Sequence, residues 1–144
     1  MATTGKTPKG RWLNDSRARI TCPYGKRGWW KLGSHPGVDI AVPGVTNVVV
    51  VWALPHPGKV VQIGGCGAPY GQHVLIRSRS GSVWLFAHLS RLDVVLGQRV
   101  ANGDRIGLTG TTGTRSSGDH LHLERSRGPV WRYGDVRRPI VYRY

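Results

Sequence analysis

The stretch Asp119-His120-Leu121-His122-Leu123-Glu124 alternates polar and apolar residues, the period of a half-buried β-strand. That period puts His120, His122 and Glu124 on one face and Leu121 and Leu123 on the other. Two imidazoles side by side on a strand can divide labour, one binding a metal and its neighbour handling a proton beside it. Alone, such a pair is as readily two solvated histidines on a polar sheet face. A second cluster, His35-Pro36-Gly37-Val38-Asp39, changes the weighing. Here a histidine and a carboxylate flank a Pro-Gly turn and can converge on one cation. Joined to one histidine of the 120/122 pair they make a His₂Asp set, and three protein ligands with a fourth place left for water is the pattern of a catalytic zinc site. Borderline-soft Zn²⁺ suits two nitrogens and one oxygen, where an all-oxygen set would suit Ca²⁺ or Mg²⁺. Such a set leaves the ion a net positive charge, which keeps its water acidic, with a pKa of about 7 in zinc hydrolases. His88, in Phe86-Ala87-His88-Leu89-Ser90, ends an apolar segment and offers a third imidazole to the same site.

The elements that must position these residues read as strands. After a short opening strand at Arg19–Pro23, β-like segments occupy Val38–Ala41, Asn47–Trp52, Lys59–Ile63, His73–Arg77, Val83–Ala87, Arg99–Val100, Arg105–Leu108 and His120–Glu124. Pro43-Gly44, Pro57-Gly58, Gly64-Gly65, Ser80-Gly81, Gly97, Asn102-Gly103 and Gly110 to Gly118 separate them, residues that turn the chain. No segment carries a convincing amphipathic helix, and Ser90–Val95 holds at most one turn of one. The expected fold is therefore all-β, a sandwich or barrel. The loop Gly110–Gly118 lacks a Gly-Lys-Ser/Thr ending and precedes a strand, which argues against a P-loop.

With 144 residues, the chain suits a single domain. Residues 1–18 are basic with little apolar periodicity, an N-terminal arm anchored only by Trp12 and Leu13; residues 19–144 form the domain, ending in a basic aromatic extension with Trp131, Tyr133, Tyr142 and Tyr144. The extension is expected to pack its rings on the core and leave its arginines solvated. A formal charge of +14 draws polyanions: nucleic acid, anionic membrane or anionic cell wall. No apolar run is long enough for a membrane span. No apolar segment follows the basic N-terminus, so no Sec signal peptide is expected. Cys22 and Cys66 form no Cys-x-x-Cys pair; they read as one disulfide in an oxidising compartment or, in better keeping with the missing signal, as two free, partly buried thiols. Trp29 and Trp30 sit together in a Gly-rich basic loop, either as a binding surface or as packing beneath it.

In order, His35-x-x-x-Asp39, Phe86-Ala87-His88-Leu89-Ser90 and His120-Leu121-His122 resemble the lysostaphin/LytM-type zinc endopeptidases, which cut peptidoglycan cross-bridges or stem peptides. Tyr70-Gly71-x-x-Val74-x-Ile76, the run Val94-x-x-Gly97-x-x-Val100-x-x-Gly103-x-x-Ile106-Gly107-x-x-Gly110, and Gly113 resemble that family's core as well. The resemblance spans roughly Ile20 to Arg125. It implies an antiparallel β-sheet core, a two-layer sandwich or barrel-sandwich hybrid with a loop-walled groove and little or no helix. It implies one Zn²⁺ per chain held by His35, Asp39 and His122. By the same resemblance His120 is the general base, and His88 orients the water or stabilises the oxyanion, although either imidazole can reach that water. Trp29, Trp30 and Tyr70 are the expected substrate contacts. Departures are Phe86, where the family commonly has tyrosine, and the inserted-looking Ala53–Pro57. His56 and His73 match no functional position. The expected partners are peptidoglycan peptide and anionic wall polymers, with no specific nucleic acid, no membrane span and a monomeric state. A phage endolysin released by a holin, or a virion-associated lysin, fits the missing signal peptide. The alternative reading is a non-catalytic relative that binds peptidoglycan or activates another hydrolase.

Overall fold

The computed structural model describes residues 12–51, 57–113, 118–128, 131, 132, 136, 137 and 139. The expected arm up to residue 11, the insertion from Ala53 to His56, part of the loop before the H-x-H pair, and Tyr133, Tyr142 and Tyr144 lie outside them. Eleven strands follow in order: β1 (Arg19–Cys22), β2 (Val38–Ala41), β3 (Val48–Val50), β4 (Gly58–Ile63), β5 (Val74–Ser78), β6 (Val83–Ala87), β7 (Leu89–Leu92), β8 (Arg99–Val100), β9 (Arg105–Thr109), β10 (Leu121–Ser126) and β11 (Val136–Arg137). A 3-10 turn at Ala68–Tyr70 is the one helical element among the described residues. The fold is all-β and its pairings are antiparallel, as the sequence predicts.

The larger sheet has the order β1-β2-β10-β6-β5-β4-β8, with β11 also on β10, and the smaller has the order β3-β9-β7. A core between them takes Val38 and Ile40 from β2, Leu121 and Leu123 from β10, Trp84 and Phe86 from β6, and Val49, Ile106 and Leu89 from the smaller sheet. Trp12 and Leu13 are fully buried there; Trp12 lies with its ring centroid 5.1 Å from Trp84 and 5.7 Å from Phe86. Phe86 thus faces the inter-sheet core, away from His122. Leu75, Leu85 and Ala87 face the other way, under Tyr70 and Trp131. Strand β6 reads Val-Trp-Leu-Phe-Ala without a polar break because both of its faces are covered.

Two expectations need correcting. No strand is expected from sequence at Leu89–Leu92, and the segment from Ser90 on, given at most one helical turn, begins instead within β7, which pairs with β9. Its residues carry no apolar alternation of their own, and partnership with β9 decides their conformation. The Ser90 hydroxyl also donates to the Thr109 carbonyl at 2.9 Å. The second correction concerns β10, whose first four residues are all buried. Leu121 and Leu123 fill the core, and the opposite face, with His122 and Glu124, forms part of the floor of a groove.

The switch between sheets falls at His88. It joins β6 of the larger sheet to β7 of the smaller, with φ at 63°, the one non-glycine residue among those described with positive φ. A histidine is held in that region only where its surroundings over-determine it. Here its backbone N–H donates to the Tyr70 carbonyl at 2.9 Å and its ring to the Thr112 carbonyl at 2.8 Å.

Candidate active site

Register places the chemistry. Asp39 on β2 pairs with His122 on β10, and His122 pairs with Ala87 on β6. Cross-strand partners share a face, so Asp39 and His122 stand together on the groove side and His88 follows directly after Ala87. His35 precedes β2 through Pro36-Gly37. That connection lies so close to β10 that a Cβ on Gly37 would reach Glu124 Cγ and His122 Cε1 at 2.9 Å and run into the Leu123 carbonyl. Only glycine allows this approach.

The side chains converge on one atom. Asp39 Oδ1 is 2.8 Å from His122 Nδ1, 3.4 Å from His35 Nε2 and 3.8 Å from His120 Nε2. His88 stands beside them, its ring centroid 4.8 Å from that of His120 and 5.8 Å from that of His122. In each of the four histidines the other ring nitrogen is tied down. Nδ1 of His35, His88 and His120 meets the carbonyl of Pro23, Thr112 and Gly118 at 3.1, 2.8 and 2.7 Å. A carbonyl only accepts, so each of these Nδ1 atoms carries the proton, and a neutral ring then offers a lone pair at Nε2. His122 is turned the other way: its Nε2 lies 2.8 Å from Glu124 Oε2, leaving Nδ1 toward Asp39. Histidine ligands of metals characteristically carry such partners on their far nitrogen.

Glu124 is the residue that the sequence left without a role. The period-2 pattern put it on the face of His122, but nothing there showed what it would meet. It is completely buried; Oε2 accepts from His122 and from the Tyr70 hydroxyl at 2.7 Å, and Oε1 has no hydrogen-bond partner among the described residues. Tyr70 therefore gives its hydroxyl to Glu124 and lines the groove with its ring.

Burial alone would raise the Asp39 carboxyl, yet the hydrogen bond from His122, with the His35 ring close by, holds it well below the usual carboxylate range. Burial would lower His122, but its bonds to Asp39 and Glu124 outweigh it and lift the imidazole to about 9 without a metal. That group is thus an imidazolium between two carboxylates, a site where a divalent cation replaces a proton. His88 moves the other way, pulled down to about 4, chiefly by burial, so it is neutral at pH 7.

A groove of about 700 Å³ opens over this cluster, walled by Trp29, Trp30, Lys26 and Lys31. Trp29 is 64% exposed and stacked on Trp30 at 4.8 Å. Trp30 in turn packs 4.8 Å from the His35 ring. Of the residues read from the sequence, His35, His120 and His122 each approach one oxygen of Asp39, His88 stands beside His120 and His122, and Trp29, Trp30 and Tyr70 line the groove. His73 is buried apart, bonded to the Gly71 carbonyl and the Cys66 N–H. The donor set fits a metal such as zinc: two imidazole lone pairs and a carboxylate oxygen, each ring fixed from behind.

Residues 33–131 match the family described as peptidase family M23. Among curated relatives, the peptidoglycan DD-endopeptidase ShyA of Vibrio cholerae is 34% identical over 124 residues, covering 79% of this chain and 26% of that protein. Among solved structures, the catalytic domain of the antimicrobial peptidase lysostaphin from Staphylococcus simulans is 25% identical, with a TM-score of 0.69 over 83% of this chain and 86% of that one. A zinc-containing peptidase from Vibrio cholerae is 27% identical, with a TM-score of 0.63 over 80% of this chain and 35% of that one. The chain spans about a quarter of the length of curated relatives such as the Vibrio cholerae endopeptidase.

Proposed function

The chain belongs to peptidase family M23, and from that premise we propose that it is a zinc-dependent endopeptidase hydrolysing amide bonds in peptidoglycan stem peptides or cross-bridges. The observation that carries this reading is the meeting of His35 Nε2 and His122 Nδ1 at one oxygen of Asp39, with two further imidazoles beside it. His35, Asp39 and His122 would hold one Zn²⁺. When bound, that ion supplies a Lewis acid for the scissile carbonyl and acidifies the attacking water.

The remaining work falls to this chain's own groups. His120 Nε2, 3.8 Å from Asp39, is placed to take the proton of the attacking water and return it to the leaving amine. Its Nδ1–H bond to Gly118 leaves Nε2 as the acceptor. His88 is neutral and its Nδ1–H is given to Thr112, so its Nε2 accepts a hydrogen bond and aligns the water. It has no N–H left to offer an oxyanion, which favours the orienting role over the stabilising one. Glu124 and Tyr70 position His122. Trp29 and Trp30 offer flat apolar surface to the peptide along the groove wall. Lys26 and Lys31 on the same wall, with a chain charge of +14, favour approach to anionic wall polymers.

The test is digestion of peptidoglycans of defined cross-link chemistry by the zinc-loaded protein, with released fragments read by mass spectrometry. New amino termini at one type of peptide bond are expected. Solubilised glycan with intact peptides, or no product from any wall, would refute the reading.

A further inference from the structure

The roles above leave Cys22 unexplained. It ends β1, at the edge of the larger sheet, and a bulge interrupts the β1–β2 register between Ile20 and Cys22. Ile20 pairs with Ile40, so a regular ladder would set Thr21 opposite Asp39; the extra residue sets Cys22 there instead. Bulges re-aim side chains in this way beside functional sites. The result is a row across three strands, with Cys22 flanking Asp39 on one side as His122 flanks it on the other. Among the described residues, Cys22, His35 and Asp39 form the one set of three metal-ligating side chains whose ligand atoms all lie within 4.8 Å of one another. Ligands sharing a tetrahedral zinc, with Zn–S about 2.3 Å and Zn–N about 2.0 Å, sit roughly 3.5 Å apart; this set would contract toward that spacing, and His122, which lies outside the set but meets Asp39 at 2.8 Å, would close in with it. Cys66 also lines the groove and is also a free thiol, but it lies by His73 and Gln62, outside that set.

We propose that Cys22 is a fourth protein ligand of the metal centre, its thiolate taking the place otherwise left to solvent, so that the chain has a closed state with four protein ligands and an open state with three. The inference rests on the reading that His35, Asp39 and His122 hold the metal. On closing, the thiol loses its proton to solvent as the sulfur–metal bond forms and the water in that place leaves; on opening, water returns and the thiol is reprotonated. The ligand class is a thiophilic divalent cation, Zn²⁺, Co²⁺ or Cd²⁺. Because the sulfur sits where the attacking water must stand, the closed state is inactive, and a substrate carbonyl must displace Cys22 to reach the metal.

The experiment is cobalt substitution of the whole chain followed by absorption spectroscopy. Visible ligand-field bands report a bound ion, and a near-ultraviolet sulfur-to-cobalt charge-transfer band reports a thiolate on it. Both are expected in the natural sequence and in Cys66→Ala. In Cys22→Ala the charge-transfer band should vanish while the ligand-field bands remain, and affinity for Cd²⁺ should fall by about tenfold or more, since the soft ligand is gone. Ligand-field bands that depend on His122 without any charge-transfer band would overturn the role of Cys22 and leave the three-ligand centre standing. A charge-transfer band that survives in Cys22→Ala and disappears in Cys66→Ala would also overturn it. No cobalt bound at all would remove the metal centre and this inference together.

Discussion

Replacing Glu124 by glutamine isolates what the buried carboxylate does for the metal site. Its Oε2 lies 2.8 Å from His122 Nε2 and 2.7 Å from the Tyr70 hydroxyl, and the side chain is fully buried. The amide keeps the shape and retains an oxygen that can accept from His122, but it removes the negative charge that makes Nδ1 a stronger donor. Partners of this kind change metal affinity by about 10- to 100-fold, roughly 1.4 to 2.7 kcal/mol. The fold should hold, because a neutral amide costs less to bury than a carboxylate with one oxygen unpaired. Competition against a chromophoric chelator gives the zinc dissociation constant, and thermal unfolding of the metal-free protein gives the control. Tyr70→Phe removes only the second donor to Oε2 and should weaken zinc binding by less than Glu124→Gln does. Zinc affinity unchanged within about twofold in Glu124→Gln would refute the idea that this carboxylate tunes His122.

Four further outcomes follow from the same geometry. Because the metal-free His122 titrates near 9, raised from an ordinary 6.5, zinc binding at pH 7 should release at least about one proton, and affinity should rise about tenfold per pH unit up to that value; calorimetry in buffers of different ionisation enthalpy counts the protons. The sign for stability is the reverse: a group raised in the folded state stabilises it below its unfolded value, so the metal-free protein should lose stability as pH rises from about 6.5 to about 9, which denaturant titration across that range would show. Gly37→Ala forces a Cβ against His122 and Glu124, and overpacking of about 1 to 3 kcal/mol should appear as a lower Tm together with weaker zinc binding. His88→Ala should lower kcat by about 10²- to 10⁴-fold with one zinc still bound, whereas loss of the metal in that variant would make His88 a ligand and contradict its role here.

The legible part of this protein was periodic or spaced. Alternation in 120–124 set His122 against the core-facing Leu121 and Leu123, and turn residues marked most strand ends. The convergence of His35, Asp39 and His122 rests on β2 and β10 being neighbours, and there the spaced motifs supplied what alternation alone did not. What the sequence hid depended on tertiary partners. Strand β7 exists because β9 is beside it, and β10 is buried on both faces because Tyr70 and the Gly37 turn cover its polar side. Glu124 stood on the predicted face, but its bond to His122 depends on a rotamer that no pattern encodes. Cys22 was read only for disulfide or free-thiol status, since a bulge decides which residue of β1 faces Asp39. The positive φ of His88 was likewise invisible, for histidine is not the residue that announces such a backbone.

The most direct measurement is peptidoglycan cleavage as a function of zinc added to metal-free protein, in the natural sequence and in Asp39→Ala. The rate of new amino-terminus formation should climb linearly and level off at one zinc per chain, and Asp39→Ala should stay at background with zinc in excess. Cleavage by the metal-free chain, or full activity without Asp39, would contradict the account.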